Sequence, residues 1–464
     1  MKRLTYCPRG NREGSTLVLA LIMIVMLSAL AVAMAGMSGA NVQVADNFRK
    51  LDNTRANAES GLEVMRYWMS KVAMSGNIAP SDRFSTLASK FQDALTAGNV
   101  TNIAPVCSTS TITISSVPLN SLSGQNFSAV LTKMDNDNVR LEVTGRYGSL
   151  SRTIQTNYRF GERAHTVFDF GVASKGAISL AGDVELSGNI EVASNAFIVS
   201  ENDPLALSII GKSMIAGDVK IVNPLAYFHI QPQAGVGGET GSENSSKHID
   251  IGVPPEEFPK MDPSPFYSYV PEENVLSTSV DLKKAVTLTN IRIPAGMNPK
   301  FTGQATLKGV IFIESPNVVE FGGGVDITGI IVTNGSDSDN SATNQITFTG
   351  NVTCHPIYEL PQETQFQGLH SQTGTFMLAP GFKASFGGSF GTLTGAIAAN
   401  GIKFYGNAGG TINGSVVNYS DTLMELSGNS DLYFNRSDRT KVPAGFEPEI
   451  VLHYDPTSYS EVPL

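Results

Sequence analysis

Three aspartates in the C-terminal two thirds of the chain are the residues whose type best suits them to catalysis. Asp183 and Asp218 each follow an Ala-Gly pair, and Asp326 lies in the run "GGGVDITG". Carboxylates grouped on one surface can cleave glycosidic bonds, one as the acid and another as the base or nucleophile. However, Asn or Gly fills the position of Asp183 and Asp218 in neighbouring copies of the same pattern. The spacing therefore favours turn residues over a catalytic cluster.

The thiol and imidazole side chains offer no second candidate. Cys354 precedes His355 in "TCHP", but the apolar alternation turns Cys354 inward, where a thiol behaves as a small apolar group. Glycine-rich phosphate loops and serine nucleophile elbows are absent from the sequence. The histidines are scattered without the spacing of metal ligands: His165, His229, His248, His355, His370 and His453. The sequence thus predicts no catalytic residue, no metal site and no cofactor.

The element that would position these residues is repetitive. Residues 178–201 divide into the sixes "ISLAGD", "VELSGN", "IEVASN" and "AFIVSE", and fragments such as "ITFTGN" and "MELSGN" recur later. Two alternating apolar residues followed by a turn, every six residues, predict a parallel β-helix over residues 167–440. Three sixes would make one coil of about 18 residues. The predicted inward residues are Ile178, Leu180, Val184, Leu186, Ile190, Val192 and Ile198.

A segment rich in proline and glycine interrupts the predicted β-helix at residues 231–285. Loops of this kind carry function more often than the scaffold does, so Phe266, Tyr267 and Tyr269 are candidate surface contacts. The alternative, that they cover one open end of the β-helix, is the favoured interpretation. Residues 441–464 follow as a C-terminal tail.

A smaller β domain is predicted over residues 77–166. The alternating runs "TITISSV", "FSAVLTKM", "VRLEVTGRY" and "SRTIQTNYRF" are separated by turn-forming residues, which is typical of an antiparallel meander. Together with the β-helix, this makes the predicted fold class α+β and mostly β.

The N-terminus predicts a long helix. Leu17–Met37 is a run of 21 residues, apolar apart from Ser28 and Gly36, which spans about 31 Å as a helix and matches a bilayer core. It is too long for a cleaved secretion signal. Four basic residues precede it, so we expect the N-terminus to stay cytoplasmic. Beyond it, an apolar stripe spaced three and four apart continues the helix: Phe48, Leu51, Ala58, Leu62, Met65, Met69 and Val72.

These features resemble a known family. The basic leader ending in Gly14, the start "STLV" and the segment "NTRANAESGLEVMRYWMS" are similar to the N-termini of type IV pilin-like proteins, especially the PilX N-terminal family of minor pilins. The resemblance implies that a prepilin peptidase cleaves between Gly14 and Ser15, and that the new Ser15 amine is methylated. It divides the N-terminus into a leader (1–14), a transmembrane helix (15–38) and an outer half of the helix (39–76).

The resemblance also covers the outer part of the chain. The strands in "LEVTGRYGSLSRTIQTNYRF" resemble those of pilin heads. Residues 255–440 resemble the outer regions of large pilin-like proteins from bacteria with complex cell envelopes. The implied partners are other pilin or pseudopilin subunits and an inner-membrane assembly platform. The implied location is the bacterial inner membrane, crossed once, with the bulk of the chain periplasmic or on a surface filament.

One residue departs from the family pattern. Major pilins carry a glutamate at the fifth mature position, where this chain has Leu19. A buried amine at Ser15 needs a carboxylate partner, which Leu19 cannot supply. The departure favours a minor subunit over the bulk polymer.

Composition and net charge limit the kinds of partner that we expect the chain to bind. The chain has 45 Gly, only 16% charged residues and a net charge of −10, and removal of a basic leader would make it more acidic. We therefore expect no nucleic acid binding. A surface glycan or protein is the expected kind of ligand, and pairing between Cys107 and Cys354 stays open.

Two function classes remain. The first is a nonenzymatic minor pilin-like subunit whose β-helix projects as a spacer, tip or adhesive domain. The second is a membrane-anchored carbohydrate-active β-helix enzyme, or a surface adhesin unrelated to pili. The sequence leaves open which machine a pilin-like subunit would serve, whether pilus, secretion pseudopilus or DNA uptake.

Overall fold

The computed structural model describes residues 13–120, 124–336, 339, 342–436 and 442–462 of the 464-residue chain. The chain forms two compact units. The helix–sheet unit comprises the residues up to Met74, Ile78–Gly161 and those from Val451 onwards. The β-helix unit comprises Ser75–Asn77 and Glu162–Ile450.

The helix–sheet unit contains helix α1 (Glu13–Met69), helix α2 (Arg83–Ala97) and most of a seven-stranded sheet. The four predicted meander strands are present and pair antiparallel. From one edge to the other the strands are Ala73–Ser75, Glu449–Val462, Leu150–Arg163, Asn138–Tyr147, Gln125–Lys133, Thr111–Asn120 and Pro105–Cys107.

The C-terminal half of α1 packs on this sheet. Ala58, Met65 and Met69 are fully or almost fully buried, as the apolar stripe predicts. Gly145 allows the close approach, because a Cβ at this position would lie 2.3 Å from the backbone of α1. The prediction for Phe48 is wrong, since 63% of its surface is exposed. It is wrong because the sheet reaches α1 only farther along the helix.

Two elements of this unit differ from the sequence prediction. Helix α2 lies within a region predicted as strands only, and it buries one face through Phe84, Leu87, Phe91 and Leu95. Most of the C-terminal segment, predicted as a tail, forms the 14-residue strand Glu449–Val462 next to Leu150–Arg163. The β-helix unit is therefore an insertion between two neighbouring strands of one sheet.

The β-helix unit is built on three sheets of mostly parallel strands, here called the first, second and third faces. The first face contains Val172–Ser174, Ala196–Ile198, Val219–Ile221, Ile249–Ile251, Val286–Ile293, Ala305–Ile313, Val325–Thr333, Val352–His355, Thr375–Ala379, Ala396–Ala399 and Val416–Asn418. The second contains Ile178–Gly182, Leu205–Gly211, Tyr227–Ile230, Lys300–Phe301, Asn317–Phe321, Asn344–Phe348, Lys383–Phe386, Ile402–Phe404 and Met424–Gly428. The third contains Glu185–Gly188, Met214–Ile215, Gly235–Val236, Glu239–Thr240, Thr392–Thr394, Gly410–Asn413 and Leu432–Phe434.

The stacking order of these coils is not the chain order. The chain enters mid-stack at Val172–Ser174, winds to one end at Ile249–Ile251 and crosses to the opposite end at Val286–Ile293. It then winds back until Val416–Asn418 pairs with Val172–Ser174. The crossing covers about nine strand spacings, or roughly 43 Å. The need to bridge this distance explains why the β-helix pattern lapses in the interrupting segment.

The interior follows the predicted alternation, with exceptions. Of the predicted inward residues, Ile190 and Val192 are wrong, with exposures of 41% and 39%, because Glu191–Ser194 forms a 3₁₀ turn instead of a strand. The regular six-residue repeat is not confirmed, since Thr392 pairs with Thr411, 19 residues on, but Val219 pairs with Ile249, 30 residues on. Five core phenylalanines stack with ring centroids 4.9–5.1 Å apart: Phe301, Phe321, Phe348, Phe386 and Phe404.

The outer surface of the first face is covered by a second apolar core. The last five residues of Ala305–Ile313 and of Val325–Thr333 are all buried, which is typical of strands enclosed on both faces. The covering side chains come from three separate loop segments: Phe266, Leu360, Phe366, Leu369 and Phe446. Part of the interrupting segment thus covers a face of the β-helix along its side.

Candidate functional site

The N-terminal part of α1 is apolar around its whole circumference, and the described part of the chain does not cover it. Every residue from Thr16 to Ala45 is exposed, including Leu17 and Val32 at more than 70%. Burying an apolar side chain of this size stabilises it by about 1.5–3 kcal/mol, so water is its least favourable surrounding. The segment measures about 45 Å as a helix, longer than a bilayer core of about 30 Å.

By length and composition, α1 is the one helix in the described part of the chain that could cross a membrane. The first charged groups after its apolar part are Asp46, Arg49 and Lys50. Asp46 lies 2.8 Å from the Arg49 guanidinium and 2.6 Å from the Lys50 ammonium. The Lys50 hydrogen bond is the main cause that lowers the pKa of Asp46. These paired charges mark the end of the uncharged surface.

Two glycines lie in this exposed part of α1. Helix α1 runs unbroken through both Gly36 and Gly39, although glycine is a poor helix former. A Cβ built at either position meets nothing within 4 Å. Neither glycine is therefore required by packing within the described chain.

The predicted processing residues lie at the start of the same helix. The backbones of Gly14 and Ser15 belong to the first turn of α1, while the Ser15 side chain and residues 1–12 are outside the described part. Leu19, the fifth residue after Gly14, is 64% exposed. The groups that surround Leu19 therefore depend on what covers this part of the helix.

The three aromatic candidates of the interrupting segment have different surroundings. Phe266 is fully buried in the second core, so it is not a surface contact. Tyr267 is 42% exposed, packs its ring 4.2 Å from that of Phe312 and accepts a hydrogen bond from Asn334. Tyr269 is half-buried and lines a polar groove. Phe266 and Tyr267 lie near Phe312, on the second-to-last strand of the first face, and Tyr269 lies beside Asn290 on the last strand.

The three aspartates of the sequence analysis form separate contacts. Asp218 lies 2.8 Å from His248 Nδ1, and Asp326 lies 3.4 Å from His355 Nε2. The backbone N–H of Asp183 donates to the carbonyl of Gly428 at a corner of the coil. Within the described residues, no group of three or more His, Cys, Asp or Glu side chains could hold a metal ion.

The two described cysteines are free thiols. Cys107 is exposed, whereas Cys354 packs partly against the main core of the β-helix. Burial raises the pKa of the Cys354 thiol to about 11. This thiol is therefore protonated at neutral pH and a poor nucleophile.

Sequence reasoning missed a buried ionic cluster near the ends of the β-helix unit. Glu449 accepts a hydrogen bond from Arg163 Nε at 2.9 Å and lies 3.1 Å from His165 Nδ1. Burial favours a higher pKa for Glu449, but the hydrogen bonds and charges of His165 and Arg163 outweigh it and lower the pKa. No local motif indicates this cluster, since its members are almost 300 positions apart in sequence.

No family model and no curated protein matches this chain. Among solved structures, it is similar to the competence-associated pilin ComZ from Thermus thermophilus, with 12% identity and a TM-score of 0.27, over 78% of this chain and 87% of that one. It is also similar to the DUF3494 domain of ice-binding protein 1 from Shewanella frigidimarina, with 10% identity and a TM-score of 0.21, over 59% of this chain and 98% of that one. At these TM-scores neither likeness defines the fold or the activity of this chain.

Proposed function

We propose that this chain is a nonenzymatic minor subunit of a type IV pilin-like filament. The observation that carries the proposal is the division of α1 into a bare, uncharged half and a half packed on a sheet. A helix of this kind fits a subunit that is first held in the membrane and then packs its bare half among other helices. The partners are a prepilin peptidase, other pilin or pseudopilin subunits and an inner-membrane assembly platform.

The minor role follows from Leu19. If cleavage exposes the Ser15 amine inside a bundle of helices, that charge needs a carboxylate from another subunit. The chain should therefore be scarce in filaments next to a partner that bears the glutamate, and should not polymerise alone. Homopolymeric filaments made by this chain with the assembly machinery would make it a major subunit.

The β-helix unit acts in this proposal as an outward spacer, tip or adhesive domain. Asp218 pairs with His248 and Asp326 pairs with His355, so the two carboxylates have different partners. These placements support a binding or structural role over glycosidic bond cleavage.

Mass spectrometry of purified surface filaments tests the proposal. We expect peptides of this chain that begin at Ser15. Gly14→Val should leave a longer precursor in the inner membrane, whereas the matched substitution Gly39→Val should leave cleavage intact, because it lies 25 residues farther along the helix. Residues 1–14 retained on filament-associated chains would contradict the proposal.

A further inference from the structure

A polar groove of about 580 Å³ opens on the β-helix unit, and three distant segments build it. One wall is residues 268–274 of the interrupting segment, and the other is residues 364–367. Asn290, in the strand Val286–Ile293, forms the floor. The volume lies in the range of sites for small ligands. We call it the amide groove.

The floor of the amide groove ties the walls to the β-helix. Asn290 is 2% exposed and adopts the left-handed conformation, with φ of +44°. Its Oδ1 accepts from the N–H of Val310 at 3.0 Å, and its Nδ2 donates to the carbonyl of Gln365 at 2.9 Å. On the other side, Asn274 Nδ2 donates to the carbonyl of Thr289 at 3.2 Å. Both walls are thus fixed to one bend, which lowers the cost of ordering them around a ligand.

Asn290 both adopts the positive-φ backbone of this bend and supplies a side-chain amide, which glycine could not do. In the next two coils Gly309 and Gly329 stand at a comparable bend with positive φ, where glycine costs least. Asn tolerates that conformation and also carries an amide. Its amide is what holds the second wall in place.

The lining of the amide groove indicates the ligand. Amides of Asn274, Gln365 and Gln367 are joined by the hydroxyls of Ser268 and Thr364 and by the side chain of Tyr269. All of the lining residues are described, and the one charged side chain among them is Glu273. Amides and hydroxyls can donate and accept at once, as vicinal sugar hydroxyls require. An anionic ligand such as a phosphate, sulfate or uronate would be repelled by the Glu273 carboxylate and would find no cation among the lining residues.

We propose that the amide groove binds a neutral oligosaccharide. The exposed Gln367 amide and the amide oxygen of Gln365, whose Nε2 donates to Glu363 at 2.6 Å, bind the sugar hydroxyls. The Tyr269 ring contacts the apolar face of one sugar. This inference adds a ligand class to the proposed adhesive role. Only the biological purpose of the binding rests on that role. Binding itself needs no filament.

The test measures calorimetric binding to the full-length chain in lauryldimethylamine oxide, a detergent without a sugar headgroup that could compete. The probes are neutral oligomers of glucose, mannose, galactose and N-acetylglucosamine, with an oligogalacturonate as the anionic comparison. We expect at least one neutral oligomer to bind and the oligogalacturonate to bind at least about tenfold more weakly.

Variants assign that binding to the groove. Gln365→Ala with Gln367→Ala should weaken it about tenfold or more, because hydrogen bonds of about 1 kcal/mol each are lost. Gln345→Ala removes an amide from the second face and should leave it unchanged. Tyr269→Phe should retain binding, whereas Tyr269→Ala should weaken it, with melting curves confirming that each variant is folded.

Three results would each overturn the inference: no binding of any neutral probe up to about 5 mM, equal binding of the anionic oligomer, or unchanged binding by the double Gln variant. The Gly14→Val precursor separates this inference from the filament proposal. It should bind the sugar normally even though it cannot enter a filament.

Discussion

Two apolar surfaces of this molecule have opposite surroundings. The outer surface of the first face of the β-helix carries Phe312, Val332 and Leu378, and loops of the same chain cover all three completely. The N-terminal half of α1 carries side chains of the same kind, and the described chain covers none of them. The first surface is part of a folded core, and the second is available to lipid or to other helices.

The difference separates stability from interaction. A side chain that its own chain covers contributes to folding, and its loss unfolds the unit around it. A side chain that the chain leaves bare contributes nothing to the folded unit, and its loss is felt only where a partner or a bilayer would cover it. The following substitutions test that separation.

Phe312→Asp should have the largest effect. It places an unpaired carboxylate between the first face and its covering loops, and we expect the β-helix unit to lose more than about 4 kcal/mol of stability. Denaturant unfolding followed by circular dichroism measures it. Ser385→Asp is the control, because Ser385 faces outward on the second face beside Lys403. Equal destabilisation by both variants would remove the distinction between the faces.

Glu449→Ala tests a covered charge in the same way. Removing the carboxylate leaves Arg163 and the buried His165 without their partner, and we expect a loss of about 3 kcal/mol. Because the folded pKa of Glu449 is lowered, its stabilisation is present above the unfolded pKa of about 4.3 and disappears as pH falls through the folded pKa. Glu449→Gln should flatten this acid dependence in pH-dependent unfolding curves. An unchanged curve would contradict the assignment.

Leu27→Asp tests the bare surface. We expect no change in the melting of either unit in detergent, but a cost of about 2.5–3.5 kcal/mol for membrane insertion if Leu27 lies near the bilayer centre. Carbonate extraction of membranes measures retention. Leu62→Asp, on the packed half of the same helix, should do the reverse and unfold the helix–sheet unit, since Leu62 is 4% exposed. Melting losses from Leu27→Asp would mean that the bare half is covered after all.

Lys403→Ala should have the smallest effect. Lys403 Nζ lies 2.6 Å from Glu425 on the open second face, where both side chains are partly exposed. Exposed pairs of this kind contribute at most about 1 kcal/mol and weaken with salt. Unfolding at low and high salt measures it. A loss as large as that of Glu449→Ala would show that exposure is not what separates the two ion pairs.

Local patterns predict a large part of this fold. The four meander strands follow from alternation between turns, and the buried positions of α1 from Ala58 onwards follow from three-and-four spacing. The same spacing is present from Phe84 to Leu95, so helix α2 was within reach of sequence reasoning. The inward positions Ile178 and Leu186 follow from alternation too.

The candidate site could be predicted only in part. The bare half of α1 is visible as an uncharged apolar run, because no neighbour is needed to define it. The amide groove could not be predicted beyond Tyr269, since its lining residues are separated by up to about 100 positions and meet only through the crossing of the chain from one end of the stack to the other.

The sequence alone determined the course of α1, the four meander strands and which sides of them are apolar, since these depend on neighbours within a few positions. Tertiary structure decided the stacking order of the coils, the covering of the first face and the partner of Glu449. Tertiary structure also decided that Phe266 is buried in a core while Phe48 is exposed. These outcomes depend on contacts between distant segments, where each apolar surface is either met by another part of the chain or left for a partner.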